Sequence, residues 1–115
     1  MKHILLFCII FFFPITEIFA QSAGCSGKAC EGIVTGLETH QSGDVFVRTD
    51  GDESKLTCVP FGSGKDKLKL SFSTNRNPRR EEMYSSILAA YMSGKPVYLQ
   101  TMKQGSCDIT VVVLR

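Results

Sequence analysis

The chain has 115 residues, 43% of them hydrophobic and 21% charged, with a formal net charge of +2. That length allows one domain with a modest core. A net charge this small does not argue for nucleic acid or an anionic membrane as partner.

The first twenty residues read as a targeting segment. Lys2 supplies a positive start, Ile4 to Phe13 is an unbroken apolar run, Pro14 breaks it, and Ile18-Phe19-Ala20 presents a small residue for cleavage after Ala20. The rival reading is a membrane anchor, which needs about 20 apolar residues to cross ~30 Å of hydrocarbon as a helix. Pro14 and Glu17 stop the run well short of that, so no stable membrane anchor is expected. A lipoprotein signal is disfavoured as well, because Ser22-Ala23-Gly24 lacks the large aliphatic residue usual three places before a lipidated cysteine. The expectation is a secreted or periplasmic protein whose mature chain, residues 21–115, is a single domain. Lys2 and Glu17 leave together, so the mature chain keeps its charge of +2.

Residues 21–29 are small and polar and read as an arm. Glu31 to Gln41 alternates loosely as a strand, with Gly36 marking a bulge or a close backbone approach. Gln41-Ser42-Gly43-Asp44 is a turn, and Val45 to Thr49 is a second strand completing a hairpin over 31–49. Asp50-Gly51-Asp52 is another turn. Lys55 to Phe61 reads as a third strand, stopped by Pro60 and Gly62. Leu68, Leu70 and Phe72 alternate with Lys67, Lys69 and Ser71, the cleanest period of two in the chain.

A helix of about 78–93 follows. Asn77 is placed as N-cap, Pro78 as first helical residue, and Glu81 and Glu82 where the helix dipole favours negative charge. Met83, Ile87 and Tyr91, with Tyr84, Leu88 and Met92, form an apolar stripe. Gly94 suits the left-handed position past the end, and Pro96 prevents resumption. Val97 to Met102 and Asp108 to Leu114 are the last two strands, joined by a turn at Lys103-Gln104-Gly105-Ser106.

With no long helical crossovers, an all-parallel sheet is excluded. Two architectures remain: an open antiparallel sheet with a helix on one face, or a small antiparallel barrel of the oligonucleotide/oligosaccharide-binding (OB) type. The barrel, with five to six strands and the helix between the early strands and the last two, is favoured.

Cys8 leaves with the targeting segment, and Cys25, Cys30, Cys58 and Cys107 remain, an even number that reads as disulfides in an exported chain. In the barrel the third strand neighbours the last, which favours Cys58–Cys107 and leaves Cys25–Cys30. Cys30–Cys107 with Cys25–Cys58 is the alternative. Closing the long loop from Cys58 to Cys107 is worth about 3–4 kcal/mol. A metal site is disfavoured because Cys25-x4-Cys30 is looser than the usual zinc pair and no second pair follows at ligand spacing.

Catalysis finds little support. His40 is the one mature histidine and lies beside a turn, no serine sits in a Gly-x-Ser-x-Gly elbow, and the cysteines are structural. Asp44, Asp50, Asp52 and Glu53 lack the spacing of an EF-hand and read as a solvated acidic loop. The expectation is no enzyme and no cofactor. Lys65, Lys67, Lys69, Arg76, Arg79 and Arg80 form a basic stretch, but the aromatics fall on apolar stripes and read as core, so nucleic acid is not expected.

Two segments resemble the pertussis-like B subunits of the subtilase-cytotoxin and typhoid-toxin group. Glu31-Gly32-Ile33-Val34-Thr35-Gly36 is similar to their opening strand, and Tyr91-Met92-Ser93-Gly94-Lys95-Pro96-Val97 to their helix end and turn. The resemblance implies a barrel that assembles into a ring of five and binds sialylated glycans. It places the glycan-contacting hydroxyl at Thr35, its acidic neighbour at Glu31, and a further contact position at Thr101. Threonine and glutamate keep the hydroxyl and the charge. Thr101 stands where that group has a tyrosine, and Val47 where it has a cysteine, so the sugar-stacking aromatic is missing and Cys58 needs another partner. The plainer reading makes Thr35 a strand threonine and Glu31 a solvated carboxylate. The chain is therefore read as a non-catalytic binding protein with a glycan ligand and a homo-oligomeric, pentameric assembly. The alternative is a protein-interaction or inhibitor protein using an edge strand or the basic stretch.

Overall fold

A computed structural model of the chain describes residues 24–72 and 78–115. The expected targeting segment, its cleavage point and the proposed cap Asn77 lie outside those residues. The strands are β1 (Gly24–Ser26), β2 (Ala29–Gly32), β3 (Val34–Thr39), β4 (Val45–Thr49), β5 (Leu68–Leu70), β6 (Val97–Thr101) and β7 (Ile109–Leu114), with one helix, α1 (Arg80–Ser93). They form two antiparallel sheets, β1-β2-β6-β7 and β3-β4-β5. The mainly β character, the hairpin β3–β4 and the position of the helix agree with the sequence.

The seven strands exceed the five or six expected. The long first strand is divided at Ile33, whose N–H donates to the Asp50 carboxylate at 3.0 Å and whose carbonyl accepts from the Asp50 N–H at 2.9 Å. With both backbone groups satisfied by Asp50, the chain can turn there from one sheet into the other. The expected arm supplies a strand instead, because the Cys25–Cys30 disulfide joins directly paired residues of the β1–β2 hairpin. Residues 55–61 do not form the expected third strand. They emerge from a 3-10 turn at Glu53–Lys55 and pair only through isolated bridges, Leu56 with Gly27, Val59 with Ser106 and Phe61 with Lys67. Pro60 lacks the N–H that a ladder would need there.

Among the described residues no continuous ladder joins the two sheets into a closed barrel, which departs from the favoured expectation. The sheets meet at the Ile33 corner and at an isolated parallel bridge between Lys69 and Asp108, where the Lys69 N–H donates to the Cys107 carbonyl at 2.9 Å.

Alternation decides what faces inward. Val45 and Val47 on β4, Leu68 and Leu70 on β5, Val97 and Leu99 on β6, and Ile109 on β7 are buried. The Cys58–Cys107 disulfide is buried among them. Three polar residues share the interior among the described residues: Thr49, Glu53 and Thr101. Glu53 is 4% exposed, and its carboxylate accepts from both the N–H and the hydroxyl of Thr49 at 2.8 Å each. A buried acceptor so placed ends β4 without leaving an orphan donor.

Helix α1 buries Ile87 and Ala90, with Met83 and Tyr84 packed partly against the core. The expected stripe is corrected at its end: Tyr91 is 43% exposed and Met92 79%. Ala90 follows Met83 and Ile87 at 3.6-residue spacing more closely than Tyr91 does, and Met92 lies on the far side of the helix. Pro78 sits in a preceding turn, and Arg79 occupies the N-cap position with no side-chain capping bond. Gly94 takes the left-handed conformation (φ 67°), as expected.

Two stability predictions follow from these contacts. Removing Cys58–Cys107 by paired serine substitution should cost about 4 kcal/mol, and removing Cys25–Cys30 about 2 kcal/mol, because the first closes a far longer loop. Urea unfolding of the two double variants gives the comparison, and equal losses would contradict the loop-closure account. Glu53→Ala should cost about 1–3 kcal/mol by stranding the Thr49 N–H, whereas a variant as stable as the parent chain would mean that water satisfies it.

Candidate functional site

The three residues singled out by sequence fall in three different environments. Glu31, on β2, lies opposite Tyr98 of β6 and accepts an ion pair from Arg115 Nε at 3.1 Å. The Arg115 guanidinium also covers the Tyr98 ring, 5.1 Å from its centroid. Thr35 is exposed on β3 at the register shift between the pairs Val34–Thr49 and Gly36–Arg48, so it is the extra residue of a β-bulge. Bulges re-aim side chains in this way.

Thr101 is 2% exposed, and its hydroxyl lies 3.1 Å from the Lys28 carbonyl and 3.3 Å from Cys58 Sγ. Its place is beneath the surface, where it ties β6 to the β1–β2 turn and packs against the disulfide. No direct ligand contact is open to it there. Among the described residues no hydrogen bond or ion pair links Glu31, Thr35 and Thr101.

A second constellation occupies the outer face of β3-β4-β5. Since Val45, Val47 and Thr49 point inward, Phe46 and Arg48 point outward. Phe46 lies opposite Lys69 of β5 and opposite Glu38 of β3. Its ring makes edge contacts with His40 (centroids 4.7 Å apart) and Phe61 (5.5 Å), and Lys69 Nζ sits 4.7 Å from the Phe61 centroid. The reading of the aromatics as core is thus corrected at Phe46. The signal was already in the sequence: Phe46 between two inward valines must point the other way.

Gly36 has a specific reason to be glycine. A Cβ there would stand 2.9 Å from Arg48 Nε and 3.1 Å from Arg48 Nη2, so the bare backbone lets the guanidinium lie across β3. Arg48 approaches Asp66 only at 3.7 Å, with both side chains close to half exposed. Contacts this loose and solvated contribute little to stability.

The basic stretch is largely paired. Lys67 meets Glu38 at 3.1 Å, Lys69 meets Asp108 at 3.5 Å, and Arg79 meets Glu82 at 2.8 Å; Arg76 lies outside the described residues. Lys67, and after it His40, hydrogen-bond the Glu38 carboxylate and hold it below the usual glutamate range. The Ser54 hydroxyl, followed by the Ser54 N–H, does the same for Asp52. Asp52 thereby caps the 3-10 turn, a local structural role for the acidic loop.

Among the described residues, no cluster of three or more His, Cys, Asp or Glu side chains could hold a metal ion. Among the same residues, no helix is long and apolar enough to cross a membrane. The two disulfides indicate an oxidising extracellular or periplasmic environment. Comparison with family models, curated proteins and solved structures finds no match.

The Glu38 contacts give a pH prediction. A folded pKa below the unfolded value contributes stability that is present above the ordinary glutamate range and fades as pH falls through the folded value. Lys67→Met should move the Glu38 titration midpoint upward, as read from its side-chain carboxyl resonance by NMR. An unmoved midpoint would show that Lys67 does not hold this carboxylate in solution.

Proposed function

We propose that the chain is an exported, non-catalytic binding protein that recognises a glycan, with its contact surface around Thr35. The observation that carries the reading is the bulge at Thr35. It turns an exposed hydroxyl, engaged in no hydrogen bond among the described residues, out of the ladder beside Gly36, whose bare backbone the Arg48 guanidinium covers. Glu31 belongs to the same stretch but is occupied by Arg115, so its carboxylate acts through that pair and not as an open acceptor.

The barrel enters as part of this proposal. The Lys69–Asp108 bridge is parallel, and β2 continues into β3 with one residue between them. An OB-like barrel opened along part of one seam would have both features. Assembly into a ring of copies, as the toxin B-subunit resemblance implies, is proposed with it, as are cleavage near Ala20 and export.

A protein-binding alternative is supported by β7. Its residues Val111, Val113 and Leu114 are 37%, 38% and 52% exposed, and the strand carries no charge before Arg115. An uncharged, β-branched edge strand readily accepts another strand.

Glycan-array binding by the oxidised mature chain, compared with Thr35→Ala, tests the first reading. The expected result is selective binding reduced about tenfold or more in the variant, with unchanged thermal unfolding. An array blank for the parent chain, together with capture of one periplasmic or secreted protein lost on Val111→Lys, would replace it with the second. Native mass gives the assembly: a pentamer is expected, and a monomer at micromolar concentration would remove the ring.

A further inference from the structure

Strand β7 is the edge of its sheet, and its far end opens into a groove. Among the described residues its outer side meets another strand only at the isolated Lys69–Asp108 bridge, at its start. The Arg115 N–H donates to the Pro96 carbonyl at 3.3 Å, one pair beyond Val97–Leu114. Hydrogen-bonded and non-hydrogen-bonded pairs alternate along an antiparallel ladder. Val113 and Val111 therefore turn their backbone groups to β6, and the N–H and carbonyl of Val112 and Leu114 point away from it.

The side chains at this end lack cover. Leu114 lies opposite Val97 and so shares the core-facing side of the sheet, yet Val97 is 0% exposed and Leu114 52%. Beside Leu114 lies a groove of about 320 Å³ between β7 and the last turns of α1. Ala89, Ala90 and Ser93 form its helical wall, and side chains this small leave it unfilled.

Charge decides what suits it. The charged residues lining the groove are both cations, Lys95 and Arg115. Arg115 is paired with Glu31 at 3.1 Å, whereas Lys95 is exposed and makes no ion pair among the described residues. The C-terminal end of α1 contributes about half a negative charge, less than the full charge of Lys95, so the groove mouth favours an anion. A second copy of β7 does not supply one: Ile109–Leu114 has no acid, and Asp108 is held by Lys69.

We propose that the β7 edge and this groove together bind an extended segment of another protein. The segment adds to β7 as a strand, lays an aliphatic side chain over Leu114 against Ala89 and Ala90, and sets an acidic side chain beside Lys95. In strand addition the main chain gives affinity and side-chain pockets give specificity. The proposal rests on the strand-accepting reading of β7 above and adds the chemistry of the partner and the residues that select it.

The test is NMR titration of the oxidised mature chain with an acetylated, amidated hexapeptide that alternates valine and threonine after an N-terminal aspartate. The control is the same peptide with lysine in place of aspartate. Antiparallel addition brings that first residue to Lys95. The acidic peptide should shift the amide resonances of Val112 and Leu114 and the methyl of Ala89. It should bind roughly three- to fivefold more tightly than the lysine peptide, the range of a solvated ion pair. Lys95→Glu should reverse that order, an outcome that misfolding cannot produce. Ala89→Leu, at an exposed position, should fill the groove and weaken binding about tenfold, with thermal unfolding checked alongside.

Equal affinity for both peptides, or undiminished binding in Ala89→Leu, would overturn the groove assignment and leave the edge-strand reading in place. Absence of binding by either peptide would overturn it too. Loss of a captured protein on Val111→Lys would then still uphold the edge strand, and no effect there would remove both. A concentration-dependent dimer broken by Ala89→Leu would replace the foreign segment with a second copy.

Discussion

The bond between Cys58 and Cys107 fixes the least regular part of the molecule to the most regular. Residues 56–67 lie between the 3-10 turn and β5 without forming a strand of their own, so their backbone has few ladder partners to hold it. The disulfide fastens this segment beside β7, and the bonds around it complete the join: Val59 N–H to the Gly105 carbonyl at 2.7 Å and Cys107 N–H to the Val59 carbonyl at 3.0 Å. One residue beyond Cys107, Asp108 reaches Lys69 and links the two sheets. In a chain this small, whose core is modest, a covalent join at that point substitutes for apolar area that is not available. It also sets the position of Phe61, three residues from Cys58, and therefore part of the outer aromatic surface.

The exposed face depends on irregularities in β3 as much as on the core. Asp50 turns the chain at Ile33, the bulge follows at Thr35, and Gly36 then leaves a bare patch that Arg48 covers. A regular strand through 31–39 would alternate side chains evenly and would leave no unpaired residue at 35. A side chain at 36 would push the guanidinium off the sheet. The stretch that lacks good strand chemistry is thus the one that brings a hydroxyl and a guanidinium onto the same surface.

Much of this was legible in the residues themselves. Strict alternation over 45–49 and 68–70 identified both strands and their inner faces, and Gly94 with Pro96 ended the helix where they were expected to. The favoured cysteine pairing also matches the structure, although the regular third strand from which it was argued is absent: isolated bridges bring 58 and 107 together instead. What escaped depended on tertiary context. Residues 55–61 have strand-like composition, but their partners are a loop and a disulfide. The resemblance placed a ligand contact at Thr101, yet β6 turns it inward to the Lys28 carbonyl. Arg48 carried no signal at all, because its importance comes from a glycine twelve residues earlier that only the β3–β4 register places beneath it.

The balance of charges on the outer face also bears on how strongly a single copy could hold a ligand. Arg48 faces Asp66, Lys67 faces Glu38 and Lys69 faces Asp108, so each of these cations already has an acid beside it. A charged group reaching Arg48 would have to displace Asp66, exchanging one solvated ion pair for another with little net electrostatic gain. Thr35 adds a single exposed hydroxyl. Under the glycan reading proposed above, one copy would therefore bind weakly. Weak sites become effective when several are presented together, since the second binding event is then intramolecular and avidity rises without any new contact. The proposed glycan site and the proposed ring of copies thus depend on each other: the weaker the single site, the more the reading needs the assembly.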